Sequence, residues 1–286
     1  MILHTSIESN ERKPCIIIPG DARKQLKTIP DESVQSCITS PPYWGTRDYG
    51  VNNQIGAEES LEEYIKNLQK VFKEIHRILK INGTLWLNLG DTYTSGNRGW
   101  RAPDRKNPSR SMGYRPPTPT GLKPKDLVGL PWHVAFALQK DGWYLRSDII
   151  WNKPNAQPES VKDRPTRSHE YLFLFSKSSV YFYDYESSQE NSNGGNNKRN
   201  RRSVWSIYTE GKHPPHLAVF PPELVKICLL TSSKRGDTII DPFMGSGTVG
   251  LVCIENKRNF IGIEIKPEYV KIASDRIGVD NGEKAE

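Results

Sequence analysis

The residues best suited to chemistry are Thr39-Ser40-Pro41-Pro42-Tyr43-Trp44, which directly follow the apolar run Val34–Ile38. Neither proline has an N–H, and each disfavours the α region in the residue before it, so a strand must stop at Ser40 and enter a rigid extended turn. The turn leaves the Ser40 hydroxyl and the carbonyls of Ser40 and Pro41 without a partner in regular structure. It ends in two aromatic rings, Tyr43 and Trp44. Acceptors beside a flat ring suit a planar nucleobase amine.

A second stretch, Asp241-Pro242-Phe243-Met244-Gly245-Ser246-Gly247-Thr248, joins an apolar run to a helix-like segment. Gly245 and Gly247 let backbone N–H groups approach a ligand closely, and a helix N-terminus favours an anionic group. The loop is too short for a phosphate-wrapping Walker motif and lacks its Lys-Ser/Thr ending. It also lacks the third glycine of the dinucleotide fingerprint, since Leu251 follows Gly250. Glu264 closes the next apolar run, where an acid commonly grips ribose hydroxyls. Two readings stay open for this pair: a nucleotide-type cofactor site, or a tight turn with a surface glutamate.

The elements that must position these residues alternate in type. Cys15–Ile18 reads as a strand ending at Gly20-Asp21, Ala22–Lys27 as a short helix, and Val34–Ile38 as a strand. Ser60 and Glu63 make a capping box for the clearest helix, with apolar positions at the 3.6 period from Leu61 to Leu79 and an end at Asn82-Gly83. Thr84–Leu89 follows as a buried strand ending at Gly90-Asp91. Further on come a helix near Asp126–Lys140, strands near Tyr144–Trp151 and Tyr171–Ser176, and a helix over Pro221–Thr231. The chain closes with the strand Thr238–Ile240, a helix to about Glu255, the strand Phe260–Glu264 and a helix from Pro267. Near-continuous apolar strands alternating with helices predict an α/β fold with a doubly wound, mostly parallel sheet. Ligands of such sheets bind beyond the carboxyl ends of the strands, where Asp21, Ser40, Asp91, Asp241–Gly247 and Glu264 converge. Asp91 has two readings there, a base-pocket residue or a cap for the turn that follows.

Composition narrows the function classes. No apolar run approaches the length of a membrane span, and Met1–Lys13 lacks the apolar core of a secretory signal, so a cytoplasmic location is expected. The cysteines at 15, 37, 228 and 253 have no C-x-x-C spacing, which argues against both a disulfide framework and a zinc site; no metal is expected. A net charge of +7 suits a polyanionic partner. Two segments concentrate that charge in irregular sequence. Residues 95–125 hold eight Lys or Arg against the single acid Asp104, and 186–211 includes Lys198-Arg199-Asn200-Arg201-Arg202.

Taken together, these motifs resemble those of the S-adenosylmethionine-dependent DNA amino-methyltransferases. Thr39–Tyr43 is similar to their catalytic motif and Asp241–Thr248 to their cofactor loop. Catalytic motif first, cofactor loop second and a variable basic region between is the circularly permuted order of the family's β group. The resemblance covers nearly the whole chain. It implies a Rossmann-like methyltransferase sheet with irregular basic insertions. Residues 1–94 and 126–185 would form the catalytic half and 212–286 the cofactor half. The basic insertion 95–125 and the target-recognition segment 186–211 would meet double-stranded DNA. S-adenosylmethionine would be held by Asp21 at the adenine, Glu264 at the ribose and the loop residues Asp241, Pro242, Phe243, Gly245, Gly247 and Thr248. His213–Thr231 resembles the segment that packs on the methionine half.

Serine before Pro-Pro-Tyr is typical of members that methylate cytosine N4, and aspartate is the commoner form in adenine N6 enzymes; adenine N6 remains the alternative. The N4 lone pair is delocalised into the ring. Acceptors at Ser40 Oγ and the Pro41 carbonyl favour a pyramidal, more nucleophilic nitrogen, which then attacks the sulfonium methyl in line. The base must leave the duplex to be reached. Tyr43 is the natural stacking platform, with Trp44 or Trp151 as candidates for the opposite wall. Arg98, Arg101, Arg105, Lys198, Arg199, Arg201 and Arg202 are candidates for phosphate or guanine contacts. A restriction endonuclease acting on the same site is a possible partner, and the oligomeric state stays open. A non-catalytic DNA-binding module would explain charge and aromatics but not the cofactor-type loop. A C5-cytosine enzyme would need its nucleophile at Pro14-Cys15, where Cys15 begins a strand.

Overall fold

A computed structural model describes residues 15–95, 99–100, 113, 115–192, 197–210 and 220–279. In chain order the first elements are β1 (Cys15–Pro19), α1 (Ala22–Gln25, running into a 3-10 turn), β2 (Val34–Thr39), α2 (Leu61–Ile78) and β3 (Leu79–Leu89). The middle holds α3 (Leu130–Lys140), β4 (Tyr144–Asn152), β5 (His169–Ser176), α4 (Tyr185–Ser188), β6 (Glu190–Asn191), β7 (Lys198–Arg199) and β8 (Val204–Ser206). The last part comprises α5 (Pro222–Ser232), β9 (Thr238–Asp241), α6 (Thr248–Glu255), β10 (Asn259–Glu264) and α7 (Pro267–Ile277).

Eight strands form one sheet in the order β1-β10-β9-β2-β3-β5-β4-β8. Neighbours from β1 to β3 pair in parallel, β5 pairs antiparallel with both β3 and β4, and β4 pairs in parallel with β8. Strand alternation sends successive side chains to opposite faces, and both faces are covered. Cys37, Leu85, Leu87, Phe173 and Ile240 point into a core shared with α2 and α3. Their chain neighbours Ile38, Trp86, Leu172, Leu174 and Ile239 point into a second core shared with α5 and α6. The doubly wound, mostly parallel sheet is therefore present. Strands β9 and β10 come late in the chain yet sit between β1 and β2, which is the permuted order.

Helix α2 shows how the pattern becomes packing. Ser60 Oγ accepts from the Glu63 N–H at 3.1 Å and starts it. Leu61, Tyr64, Leu68, Val71, Phe72, Ile75 and Ile78 are all buried. Each such side chain is worth about 1.5–3 kcal/mol relative to exposure, so one helix face anchors this side of the sheet.

Three expectations need correction. The helix stops at Ile78 rather than at Asn82-Gly83, and β3 runs straight through those residues. A Cβ at Gly83 would lie 2.9 Å from the Lys80 carbonyl and 3.0 Å from the Gln35 carbonyl, so glycine here serves strand pairing rather than helix termination. Helix α3 begins at Leu130, four residues later than expected, because Leu127 instead bridges to Tyr93. The segment 186–211 is not wholly irregular: β6 and β7 form a small hairpin, and β8 extends the main sheet by pairing Val204, Trp205 and Ser206 with Ile150, Trp151 and Asn152. Strands of two or three residues are too short to show a period.

Candidate active site

The five parallel strands β1, β10, β9, β2 and β3 end on one side of the sheet. Across that row the ends are Gly20-Asp21, Glu264, Asp241–Gly247, Ser40-Pro41 and Gly90-Asp91. Neighbouring strands lie about 4.8 Å apart, so the end of β1 stands roughly 14 Å from that of β2. This is the span of an extended nucleoside with a short tail.

On the β2 side, Ser40 is the hub of a small polar network. Its Oγ lies 3.1 Å from Tyr43 Oη and 3.4 Å from Asn88 Oδ1. Tyr43 Oη donates to Glu170 Oε2 at 2.9 Å and reaches Asn88 Oδ1 at 3.2 Å. Asn88 Nδ2 donates to the Tyr171 carbonyl at 3.0 Å, which turns Oδ1 toward the two hydroxyls. Glu170 is paired through Oε1 with Lys153 Nζ. Burial, with the Glu170 charge next to it, pushes the Tyr43 hydroxyl well above its ordinary range, so the phenol keeps its proton. Among the described residues, no backbone hydrogen bond takes up the Pro41 carbonyl, whereas the Pro42 carbonyl accepts from Tyr64 Oη at 2.9 Å.

Two devices build this corner. Strand β5 runs against its neighbours, so its first residues arrive where the parallel strands end, setting Glu170 beside Gly90. Gly90 itself has no side chain to intervene: a Cβ there would sit 2.7 Å from the Tyr43 ring and 3.3 Å from Glu170. Neither Asn88 nor Lys153 stands out as a site residue in the sequence, where His169-Glu170 reads as a proton relay or as a packed histidine. A polar residue within the apolar run Leu87-Asn88-Leu89 was the available signal for Asn88. Nothing in sequence spacing joins Lys153, Glu170 and Tyr43.

On the β9 side, Asp241 is 3% exposed. Its Oδ1 accepts from Thr39 Oγ1 at 2.7 Å and from the Phe243 N–H at 3.0 Å, tying the cofactor-type loop to the last residue of β2. Burial pushes its carboxyl up to about 7. Glu264 is also buried; its two oxygens accept from the N–H groups of Gly245 and Lys266, and burial raises its carboxyl above the usual range. Gly245 has φ of +54° and nothing within 4 Å of where a Cβ would stand. Gly247 begins α6 at φ of +80° and packs against α7, a Cβ there lying 2.9 Å from Ala273. Arg276 of α7 holds the loop from behind through the Ser246 carbonyl and hydroxyl, both at 2.7 Å. An open glycine face beside a buried carboxylate fits a nucleoside with ribose hydroxyls. Pro242 and Thr248 are buried in the frame of this loop, while Phe243 is partly exposed.

Asp21 caps α1 through the Arg23 N–H and pairs with the Arg23 guanidinium at 2.6 Å. Burial works to raise its carboxyl, but the Arg23 hydrogen bonds and charge outweigh it and hold the group below the usual range. Arg23 also donates to the Asn53 carbonyl at 2.7 Å, so the loop following Tyr43 is fastened to the far end of the row.

Other expected site residues sit elsewhere. Trp44 is buried in the first core with its indole N–H on the Glu58 carbonyl at 3.0 Å. Trp151 is buried in the second core, bonded to the Ile207 carbonyl at 2.9 Å and covered by Lys153 Nζ 4.2 Å from its ring centre. Neither presents an open face to a base, because both rings were needed to fill the cores flanking the strand ends. Asp91 takes the structural alternative: its Oδ1 accepts from the N–H groups of Thr92 and Leu130, capping the start of α3. Arg98, Arg101 and Arg105, and residues 213–219 of the His213–Thr231 segment, lie outside the described residues. Lys198 and Arg202 are exposed, whereas Arg199 and Arg201 are half-buried and face Glu190 at 3.0 and 3.9 Å. They line a groove of about 550 Å³ with Trp205 and Glu223 at the β8 edge.

The doubly wound, mostly parallel sheet, with a Ser-Pro-Pro-Tyr turn beside a glycine loop at its carboxyl edge, is the Rossmann-like fold of DNA methyltransferases. The chain belongs to the N6/N4 DNA methylase family, whose family model matches residues 34–275. It is thus an S-adenosylmethionine-dependent DNA methyltransferase that acts on an exocyclic amine. Among relatives, it is 57% identical over 265 residues to the type II methyltransferase M.XycI of Xanthomonas campestris pv. cyanopsidis, covering 93% of this chain and 88% of that one. It is 56% identical over 275 residues to M.Cfr9I of Citrobacter freundii, covering 96% and 91%. The fold is that of the PvuII DNA methyltransferase (cytosine-N4-specific), with a TM-score of 0.69 at 21% identity over 96% of this chain and 91% of the other. A DNA modification methylase from Thermus thermophilus solved with S-adenosyl-L-methionine gives a TM-score of 0.63 at 24% identity over 92% and 93%. Among the described residues, no helix is long and apolar enough to cross a membrane.

Proposed function

We propose that this enzyme methylates the exocyclic N4 amine of a cytosine flipped out of double-stranded DNA. The observation that carries the choice is Ser40, a neutral hydroxyl where a carboxylate would mark the commoner adenine form. Its Oγ stands at the β2 end beside the cofactor-type loop, with Asn88 and Tyr43 holding it. Bound S-adenosylmethionine supplies a methyl group on a positively charged sulfur. Glu264 and the open face of Gly245 suit its ribose, and Asp21, with Arg23 fixing its direction, suits the adenine amine. The Ser40 hydroxyl and the Pro41 carbonyl accept from the two N4 hydrogens, which draws the nitrogen lone pair out of conjugation and aims it at the methyl. The partly exposed Tyr43 ring offers one stacking face. As the N–CH3 bond forms, the S–CH3 bond breaks and the nitrogen gives up one proton.

The relatives of known type are type II methyltransferases, which supports a restriction endonuclease acting on the same sequence as a partner. Lys198, on the β7 hairpin, and Arg202, just before β8, are exposed, which supports contacts to phosphates. The test is to sequence DNA from cells expressing the chain with a method that separates N4-methylcytosine from N6-methyladenine. N4-methylcytosine at one short motif is expected. N6-methyladenine would overturn the choice of base, and unmodified DNA would overturn the reading as a whole.

A further inference from the structure

Lys153 and Glu170 have no part in the mechanism above, yet they end a chain of hydroxyls that begins at Ser40. Glu170 is a half-shielded carboxylate with 18% of its side chain exposed; Lys153 grips one oxygen, and the other faces Tyr43. Tyr43 has a single proton, and its closest acceptor is Glu170 at 2.9 Å. With that proton committed, the 3.1 Å contact is a hydrogen bond only with Ser40 as the donor to Tyr43 Oη, which is nearer than its other acceptor, Asn88 Oδ1 at 3.4 Å. Ser40 Oγ, on a half-buried residue at the end of β2, is then left with only lone pairs to offer. Every donor in the series points the same way.

From this we infer that the proton leaving the target amine is passed through Ser40 and Tyr43 to Glu170, a positioning residue whose charge Lys153 maintains. The inference rests on the reading of an amine held at Ser40. The balance is complete without an external reactant. The amine N–H proton moves to Ser40 Oγ, the Ser40 proton to Tyr43 Oη and the Tyr43 proton to Glu170 Oε2. Both hydroxyls are re-formed, and the carboxylate becomes a carboxylic acid that later returns its proton to solvent. An unactivated hydroxyl is a weak base, but here Ser40 only has to pass a proton on. Asn88 Oδ1, 3.4 Å from Ser40 Oγ and 3.2 Å from Tyr43 Oη, is the longer alternative acceptor for either hydroxyl and takes no part in the transfer.

The test measures single-turnover methyl transfer to a duplex carrying the target motif, for wild type, Glu170→Gln, Tyr43→Phe and the double variant. Glu170→Gln leaves Lys153 without its partner and risks the fold, whereas Tyr43→Phe keeps the ring and the ion pair. Positioned proton transfer contributes about 10²–10⁴-fold, so each single variant should slow the rate constant by at least about 10²-fold with little change in the affinities for DNA and cofactor. Members of one relay act as a unit, so the double variant should be no slower than the worse single. The wild-type rate should also carry a solvent deuterium isotope effect that Tyr43→Phe abolishes, which a merely structural role would not produce. A wild-type rate in either single variant, losses that multiply in the double, or an isotope effect that survives in Tyr43→Phe would overturn the relay alone. A wild-type chain that leaves DNA unmethylated would overturn the amine reading as well.

Discussion

Ser40 and Asp241 show how one residue's surroundings set its role. In the proposed reaction Ser40 is an acceptor because Tyr43 Oη, 3.1 Å away, takes up its own proton. Replacing it with alanine should lower single-turnover methylation by about 10²–10³-fold, the scale of losing one oriented polar group at a reacting centre, while S-adenosylmethionine binds as before. Equilibrium dialysis beside a rapid-quench assay checks both halves. Asp241 carries the clearest pH signature. Burial moves its carboxyl from the ordinary 3.8 up to about 7 in the fold. Between those values the native protein holds a proton that the unfolded chain has released. The favourable contribution is therefore complete below about pH 4 and is lost as pH rises toward 7. Asparagine at 241 keeps an acceptor for Thr39 and Phe243 and has nothing to titrate. Urea unfolding of Asp241→Asn should show a flatter stability profile than wild type across that interval. Parallel profiles would contradict the assignment.

At the scale of elements, the site depends on how strands and helices end. Asp91 lies at the end of β3, where a base-pocket residue could stand, but its carboxylate caps α3 at Leu130 with a 3.0 Å hydrogen bond. Alanine at 91 leaves buried N–H groups without a partner, at a cost of about 1–3 kcal/mol. Stability should fall by that amount while the methyl-transfer rate of the folded fraction stays near wild type; a selective rate loss would restore Asp91 to the base pocket. Gly90 makes the opposite case. Alanine there would drive its Cβ into the Tyr43 ring, 2.7 Å away, in a corner that also holds Glu170. Gly90→Ala should therefore cost activity out of proportion to its melting temperature, as calorimetry and a turnover assay would show together.

At the scale of the whole molecule, charge and sheet edge act together. The chain carries a net charge of +7, and two exposed cations, Lys198 on the β7 hairpin and Arg202 in the groove that holds Trp205, stand near the β8 edge in sequence. DNA affinity should fall steeply with salt as phosphate contacts release counterions. Changing Lys198 and Arg202 to glutamine should lower the slope of log affinity against log salt by about one for each phosphate no longer neutralised, with cofactor affinity unchanged. Arg199 and Arg201, already facing Glu190, should contribute less to that slope. Fluorescence anisotropy across a salt series measures all four positions.

Much of this was legible in order along the chain. The Pro-Pro turn after Val34–Ile38, the loop after Thr238–Ile240, Glu264 at the end of its apolar run and the period of α2 are local patterns, set by backbone geometry and side-chain spacing within a few residues. They were enough for the alternating fold and for the two strand-end loops on which the proposed reaction rests. The lengths of short elements were less legible: β8 is three residues long, and β3 begins before a glycine that looked like a helix stop. What only the tertiary structure decided is which distant groups meet. Trp44 and Trp151 went to the cores because large rings are buried where volume must be filled. Ser40, Asn88, Lys153 and Glu170 come from four separate segments, and they meet because β5 runs against its neighbours. That reversal delivers Glu170 to the carboxyl ends of the parallel strands, and no spacing along the chain encodes it.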